Sequence, residues 1–134
     1  MKKIEHIGIA VKNLEASEKL FESLLGCQVY KRETVESEGV ITSFLRIGET
    51  KIELLAPTHE KSPIAKFLEK RGEGIHHIAF EVENIKQAIS EKNAAGFELI
   101  HSKAKSGADN KLIAFLHPKS TGGVLTELCQ DKIN

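Results

Sequence analysis

Histidine and glutamate recur at matching places in two stretches of this 134-residue chain. His6 lies in EHIGIAVKN and His77 in HHIAFEVEN, while Glu53 lies in KIELLAP and Glu127 in VLTELCQ. Each glutamate sits in an apolar run, where a carboxylate is costly to bury without a partner or a metal. Two imidazoles and two carboxylates suit an octahedral divalent ion with positions left open for substrate; Co, Ni, Mn, Fe and Zn all fit that description. A lone strand histidine is more often a hydrogen-bonded structural residue, and a lone strand glutamate is usually solvated at an edge. Repetition of both in equivalent places is what favours a metal. His59, His101 and His117 have no such companions and read as surface or loop residues.

The elements that must position these side chains form a repeat. With His6 set over His77, Ile7 falls on Ile78, Val11 on Val82, Asn13 on Asn84 and Leu14 on Ile85. After one deletion in the second copy, Gly26 meets Gly96. A strand of period two comes first in each copy. Then comes an Asn at a helix N-cap, Asn13 or Asn84. The helices follow, with Leu14, Leu20, Phe21, Leu24 and Leu25 in one copy and Ile85, Ala88, Ile89 and Ala95 in the other. Gly26 and Gly96 are placed to end them in a left-handed conformation. Further strands are expected at about 28–35, 39–47 and 51–56, and at about 97–101, 112–117 and 123–130. Ser62 as N-cap, Pro63 at the first helical position and Gly72 past the end predict a linking helix.

The chain therefore reads as a single α+β domain over residues 1–134. Module one covers about 1–58, the linking helix about 62–72 and module two about 75–131. Two paired βαβββ modules would form a curved, partly open eight-stranded sheet around a metal cleft. Strand alternation puts His6, Gly8 and Ala10 on one face and His77 with Ala79 on one face, small neighbours leaving room for a ligand. His76 then points the other way, so His77 is the histidine expected to do chemistry.

Bulk properties narrow the partners. The chain is 40% apolar and 28% charged, with 19 basic and 19 acidic residues and no formal net charge. That balance removes the electrostatic argument for nucleic acid or an acidic membrane. No apolar run approaches the ~20 residues of a membrane span, and the start MKKIEHIG lacks a signal peptide's apolar stretch. Cys27 and Cys129 are read as free thiols in a reducing cytoplasm.

HIGIAVKNLE, KIELLAP, SPIAKFLEKRGEGIHHIAFEV and AFLHPKSTGGVLTEL together resemble segments of the methylmalonyl-CoA epimerase family, within the vicinal oxygen chelate superfamily. The resemblance runs over nearly the whole chain. It implies interconversion of the (R) and (S) epimers of methylmalonyl-CoA, a divalent ion (often cobalt in vitro) and a homodimer. It maps metal ligands onto His6, His77 and Glu127, with the fourth position at Glu53, where some members have Gln. The chain departs from the family at Thr42, where some bacterial members have a glutamate base. It departs again in GADNK, where members often read GAHGK. Asp109 there brings a negative charge that Lys111 would have to offset.

Epimerisation needs a proton removed from one face of the α-carbon and returned to the other. Module symmetry nominates Glu53 and Glu127 as the acid–base pair. Lys111, together with Lys119 and Ser120 in HPKSTGG, is a candidate for binding the acyl-CoA. Two rivals share the scaffold. One is a glyoxalase I-type lyase or other metal-dependent isomerase, opposed by the length of the epimerase-like segments. The other is a metal-free small-molecule-binding protein, opposed by the full set of four ligands.

Overall fold

Alternation along IEHIGIA makes β1 (Lys3–Ala10), whose small residues on one face and branched residues on the other set the pattern for the sheet. Asn13 then accepts a hydrogen bond from the Ala16 N–H at 3.0 Å and starts α1 (Leu14–Leu25). Gly26 ends it at φ 68°. Strands β2 (Lys31–Val35), β3 (Val40–Ile47) and β4 (Thr50–Pro57) complete module one, with a 3-10 turn at Glu36–Glu38. Ser62 caps α2 (Pro63–Arg71), with Pro63 at its start and Gly72 past its end. Module two repeats the order in β5 (Gly74–Glu81), α3 (Ile85–Ala94), β6 (Lys105–Gly107), β7 (Lys111–Leu116) and β8 (Thr126–Asp131). A second 3-10 turn, Pro118–Ser120, precedes β8. The computed structural model describes residues 1–132.

The eight strands form one mixed sheet in the order β2-β3-β4-β1-β5-β8-β7-β6, and the fold is α+β. Contacts divide the chain into two compact units, one of His6–His76 and one of Met1–Glu5 with His77 onward. Strand β1 thus gives its first residues to the unit of module two, where the Lys2 N–H donates to the Glu81 carbonyl at 2.8 Å. In the unit of module one, Val11, Leu45, Ile52, Leu54 and Ala56 are buried against Phe21 and Leu25 of α1. In the other, Val82, Ala114 and Leu128 pack with Ile85, Ala88 and Ile89 of α3. Full burial of side chains such as Leu54 and Leu128 stabilises the fold by about 1.5–3 kcal/mol each. No helix among the described residues is long and apolar enough to cross a membrane.

Three details differ from the sequence reading. Leu20 and Leu24 are 62% and 70% exposed, because the buried stripe of α1 runs through Leu14, Ser17, Phe21 and Leu25, about 100° further round. The strand expected at 97–101 is reduced to one bridge, Leu99 opposite Leu116. Pairing resumes with Lys105 opposite Ile113, so six steps on one side face three on β7, and the surplus loops out. Finally, α3 is capped by Ala95 in a right-handed conformation, and the left-handed residue, Gly96, follows it.

The loop after β6 has a left-handed backbone at two residues that are not glycine. Asp109 and Asn110 have φ of 59° and 56°, a region that Asp and Asn tolerate better than other side chains. Asn110 is thus a residue type that this backbone conformation accepts.

A polar contact also fastens α1 to the sheet. Glu18 accepts hydrogen bonds from the Arg32 guanidinium, with Arg32 Nε at 2.7 Å, and from the Ser43 hydroxyl. Arg32 holds the Glu18 carboxyl below its ordinary value of 4.5, Ser43 adds to this, and burial opposes it. A depressed carboxylate stabilises the fold above its unfolded pKa and loses that contribution as pH falls through the folded value. Glu18→Gln should therefore lower the urea midpoint at pH 7, with the gap from wild type closing towards pH 3. Glycine substitutions offer a further check. A Cβ on Gly39 (φ 61°) would lie 2.7 Å from Ser62 Cβ and 2.8 Å from His59 Nε2, whereas one on Gly26 would meet nothing within 4 Å. Gly26→Ala should cost about 1–2 kcal/mol from φ alone. Gly39→Ala should cost about 1–3 kcal/mol more, read from the same denaturation curves.

Candidate functional site

In the unit of module one, β1 and β4 run parallel with Gly8 opposite Glu53. His6 precedes Gly8 by two residues, so it shares the face of Glu53. His6 Nδ1 lies 3.1 Å from Glu53 Oε2, and the two side chains are 6% and 5% exposed. Gly8 and Ala10 add almost no bulk to that face. Phe44 of β3 lies on the far side of Glu53 and is fully buried.

The unit of module two repeats this geometry. Strands β5 and β8 run parallel with Ala79 opposite Glu127, and His77 again precedes by two residues. His77 Nε2 lies 3.2 Å from Glu127 Oε1, with the same exposures of 6% and 5%. Phe115 lies opposite Glu127, as Phe44 lies opposite Glu53. Its ring meets His77 edge-on at 5.6 Å. His76 turns away and stacks edge-on against Phe67 of α2 at 5.0 Å. The two pairs differ in one respect: the carboxylate faces Nδ1 in His6 and Nε2 in His77.

Each pair joins a buried carboxylate to a buried imidazole, which answers the desolvation cost that a lone glutamate would carry. Imidazole nitrogen and carboxylate oxygen are both donors to divalent transition metals, and carboxylates are also proton acceptors. Cys129 follows Glu127 by two residues on the same face and is fully buried. Burial pushes its thiol pKa up, and the negative charges of Glu127 and Glu5 add to the effect. Both cysteines are free.

The other residues nominated from the sequence fall in varied surroundings. Lys111 is buried, with Nζ 3.7 Å from Glu5 and donating to Asp131. Lys119 is 71% exposed and lies 3.6 Å from Glu98. Ser120 accepts from the Glu98 N–H at 3.1 Å and donates to the His117 carbonyl at 3.0 Å. Thr42 is 1% exposed and lies opposite Glu33 of β2. His117 caps the 3-10 turn, accepting from the Lys119 N–H at 3.2 Å. His59 accepts from the Lys61 N–H at 3.2 Å. His101 lies in the looped-out segment, and its Nδ1 finds no hydrogen-bond partner among the described residues. Sequence reasoning missed Glu5 and Glu33. Both are charges inside strands, and only cross-strand register shows which face they take.

The model of the glyoxalase/bleomycin resistance protein/dioxygenase superfamily matches residues 5–115. Ethylmalonyl-CoA/methylmalonyl-CoA epimerase of Cereibacter sphaeroides is 43% identical over 130 residues, covering 96% of this chain and 97% of that protein. Human mitochondrial methylmalonyl-CoA epimerase is 40% identical over 129 residues, covering 96% of this chain and 73% of that protein. A variant of Streptomyces coelicolor methylmalonyl-CoA epimerase, solved with 2-nitronate-propionyl-CoA, superposes with a TM-score of 0.94 at 35% identity. The match covers 98% of this chain and 95% of that one.

The environment of Cys129 has a chemical consequence, because the thiolate is the reactive form. In native protein at pH 8, Cys129 should resist an aromatic disulfide reagent and react only after unfolding in denaturant. Mass spectrometry of the labelled peptides checks the site, and rapid native labelling of Cys129 would contradict the burial described.

Proposed function

From the premise that this chain belongs to the methylmalonyl-CoA epimerases of the glyoxalase/bleomycin resistance superfamily, and so is an isomerase, we propose that it interconverts the (R) and (S) epimers of methylmalonyl-CoA by moving the α-proton. The observation that carries the mechanism is the His–Glu pair formed at the same register in both modules.

The ligands of a divalent ion on this reading are His6, His77 and Glu127, with Glu53 as the fourth. The donors fit: by type and burial the first three suit a divalent cation, and Glu53 is the counterpart of Glu127 in the duplicated pair. Cobalt is the expected ion in vitro, with Ni, Mn, Fe and Zn as alternatives. The bound ion would supply Lewis-acid stabilisation of the negative charge that develops on the thioester oxygen.

The protein's own part is proton transfer. The α-hydrogen lies between a thioester and a carboxylate, so its removal leaves a delocalised enolate. Inversion needs one acid–base group on each side of the α-carbon, and one carboxylate from each module, Glu53 and Glu127, is the symmetric assignment. Lys111, Lys119 and Ser120 are the proposed contacts to the acyl-CoA. Lys119 is the accessible one, while Lys111 is buried and would first have to leave Glu5 and Asp131. The name of the Cereibacter relative extends the acyl group it handles to ethylmalonyl-CoA, and that is the first analogue to try. A homodimer in the cytoplasm completes the proposal. The family resemblance supports the homodimer, and the free thiols of Cys27 and Cys129 suit a reducing compartment.

Metal-stripped protein should neither exchange nor invert (R)- or (S)-methylmalonyl-CoA in deuterium oxide, and cobalt should restore both. Deuterium incorporation and optical purity are followed together. Absence of both in cobalt-loaded protein would sink the epimerase reading. Glu127→Gln, checked to retain its metal, should suppress exchange from one epimer far more than from the other; equal and minor losses would count against Glu127 as a base.

A further inference from the structure

We propose that Glu33 is a catalytic residue of this isomerase: the carboxylate that takes and gives the α-proton on module one's side of the substrate. The proposal rests on the epimerase reading above and changes one assignment within it, leaving Glu53 to the metal.

Register places the residue. Lys31 lies opposite Phe44 and Glu33 opposite Thr42 across β2 and β3, while Phe44 lies opposite Glu53 across β3 and β4. Opposed residues of antiparallel strands share a face, with Cβ atoms about 4.5–5.5 Å apart. Glu33, Thr42, Phe44 and Glu53 are therefore on the face of His6. The intervening residues agree, since Arg32 and Ser43 turn the other way to meet Glu18 of α1. Glu33 stands directly beside Thr42, whose buried hydroxyl is no base at neutral pH. Its carboxylate is the anionic acid–base group on this stretch of the face, beside the cations Lys31 and Arg46.

Two properties favour Glu33 over Glu53 for moving protons. Glu53 is 5% exposed and lies 3.1 Å from His6, so as a ligand it would have to loosen from the ion to take a proton, a demand left on Glu127 because Lys105 stands in module two where Glu33 stands in module one. A base in contact with water also resets its proton directly, whereas a buried one needs the site to open. Glu33 is 34% exposed and so opens to solvent on the sheet face that carries His6 and Glu53. Lys31 holds it there, with Nζ 3.6 Å from Glu33 Oε1 and 4.6 Å from the centre of the Phe44 ring. That cation–π contact anchors the lysine and, through it, the carboxylate.

The step balances without another reagent. Glu33 takes the α-proton as the C–H bond breaks, the bonding pair passes into the enolate, and an O–H bond forms on Glu33. Protonated Glu127 then gives its proton to the opposite face of the α-carbon. The product is the other epimer, with Glu33 protonated and Glu127 ionised, and proton exchange with water resets both.

The test uses cobalt-loaded Glu33→Gln, Glu53→Gln and wild-type protein in deuterium oxide, each assayed for metal content and thermal midpoint and then with each epimer separately. Glu33→Gln should keep its metal and its midpoint. One epimer should lose exchange by at least about 100-fold. The other should still exchange within a few-fold of wild type, through Glu127, but without inversion. Glu33→Asp should recover part of the lost exchange. Inversion of both epimers by Glu33→Gln at wild-type rates would overturn the proposal, as would the one-sided loss appearing in Glu53→Gln instead. In either case a wild type that inverts leaves the epimerase reading standing. A wild type that neither exchanges nor inverts would remove that reading and this assignment together.

Discussion

A carboxylate inside an apolar strand is tolerable only beside a group that accepts its charge, and this protein meets that constraint twice in the same way. In each unit the first and last strands of a module run parallel, and the residue opposite the glutamate is the small one two steps past the histidine. The offset of two keeps imidazole and carboxylate on one face. The small residue, Gly8 or Ala79, keeps bulk away from the pair. Phe44 and Phe115 close the far side. Shifting either parallel pairing by one residue would send the glutamate to the helix face, among the aliphatic side chains of the core. The helices, their Asn caps and the apolar faces beneath them can be understood as what holds those two registers in place.

Much of this was legible because it rests on local rules. Asn13, Ser62 and Asn84 are N-caps in the structure as in the sequence, for each accepts the backbone N–H three residues on. Alternation in strands placed His77 rather than His76 beside a carboxylate, and His76 went to an aromatic neighbour. The internal repeat joined each histidine to its own glutamate across 47 or 50 residues, a separation that no local pattern reaches.

What was not legible depends on pairing between distant segments. Phe97–His101 has the period of a strand, but three surplus residues interrupt its ladder with β7, and the regular pairing falls at Lys105–Gly107 instead. Leu20 and Leu24 fit a helical apolar pattern, yet the stripe that packs is the one through Phe21 and Leu25. The sequence reads Lys111 as the offset to Asp109 and as an acyl-CoA contact, with no sign of burial. It is buried because Glu5 and Asp131, far apart in sequence, converge on it. Glu33 is one charge among several in KRETVESE, and its significance comes entirely from lying opposite Thr42.

Duplication sets a problem for an epimerase, because the two sides of an α-carbon must be served by groups that begin each turnover in opposite protonation states. The His–Glu pairs remain alike in the two modules, as suits ligands of a single ion. The outer strands have diverged. The residue equivalent to Thr42, counted from the phenylalanine opposite each glutamate, is Ile113, and the residue opposite Ile113 is Lys105. Module two thus carries a cation where module one carries Glu33, and isoleucine where module one has a hydroxyl. A cation there is no proton acceptor, so in the proposed mechanism proton transfer on that side is assigned to Glu127 itself. On module one's side, the same place offers a carboxylate open to water. The symmetric core then suits charge stabilisation, which both directions of the reaction share, and the asymmetric rim suits proton transfer, which the two directions use in opposite order.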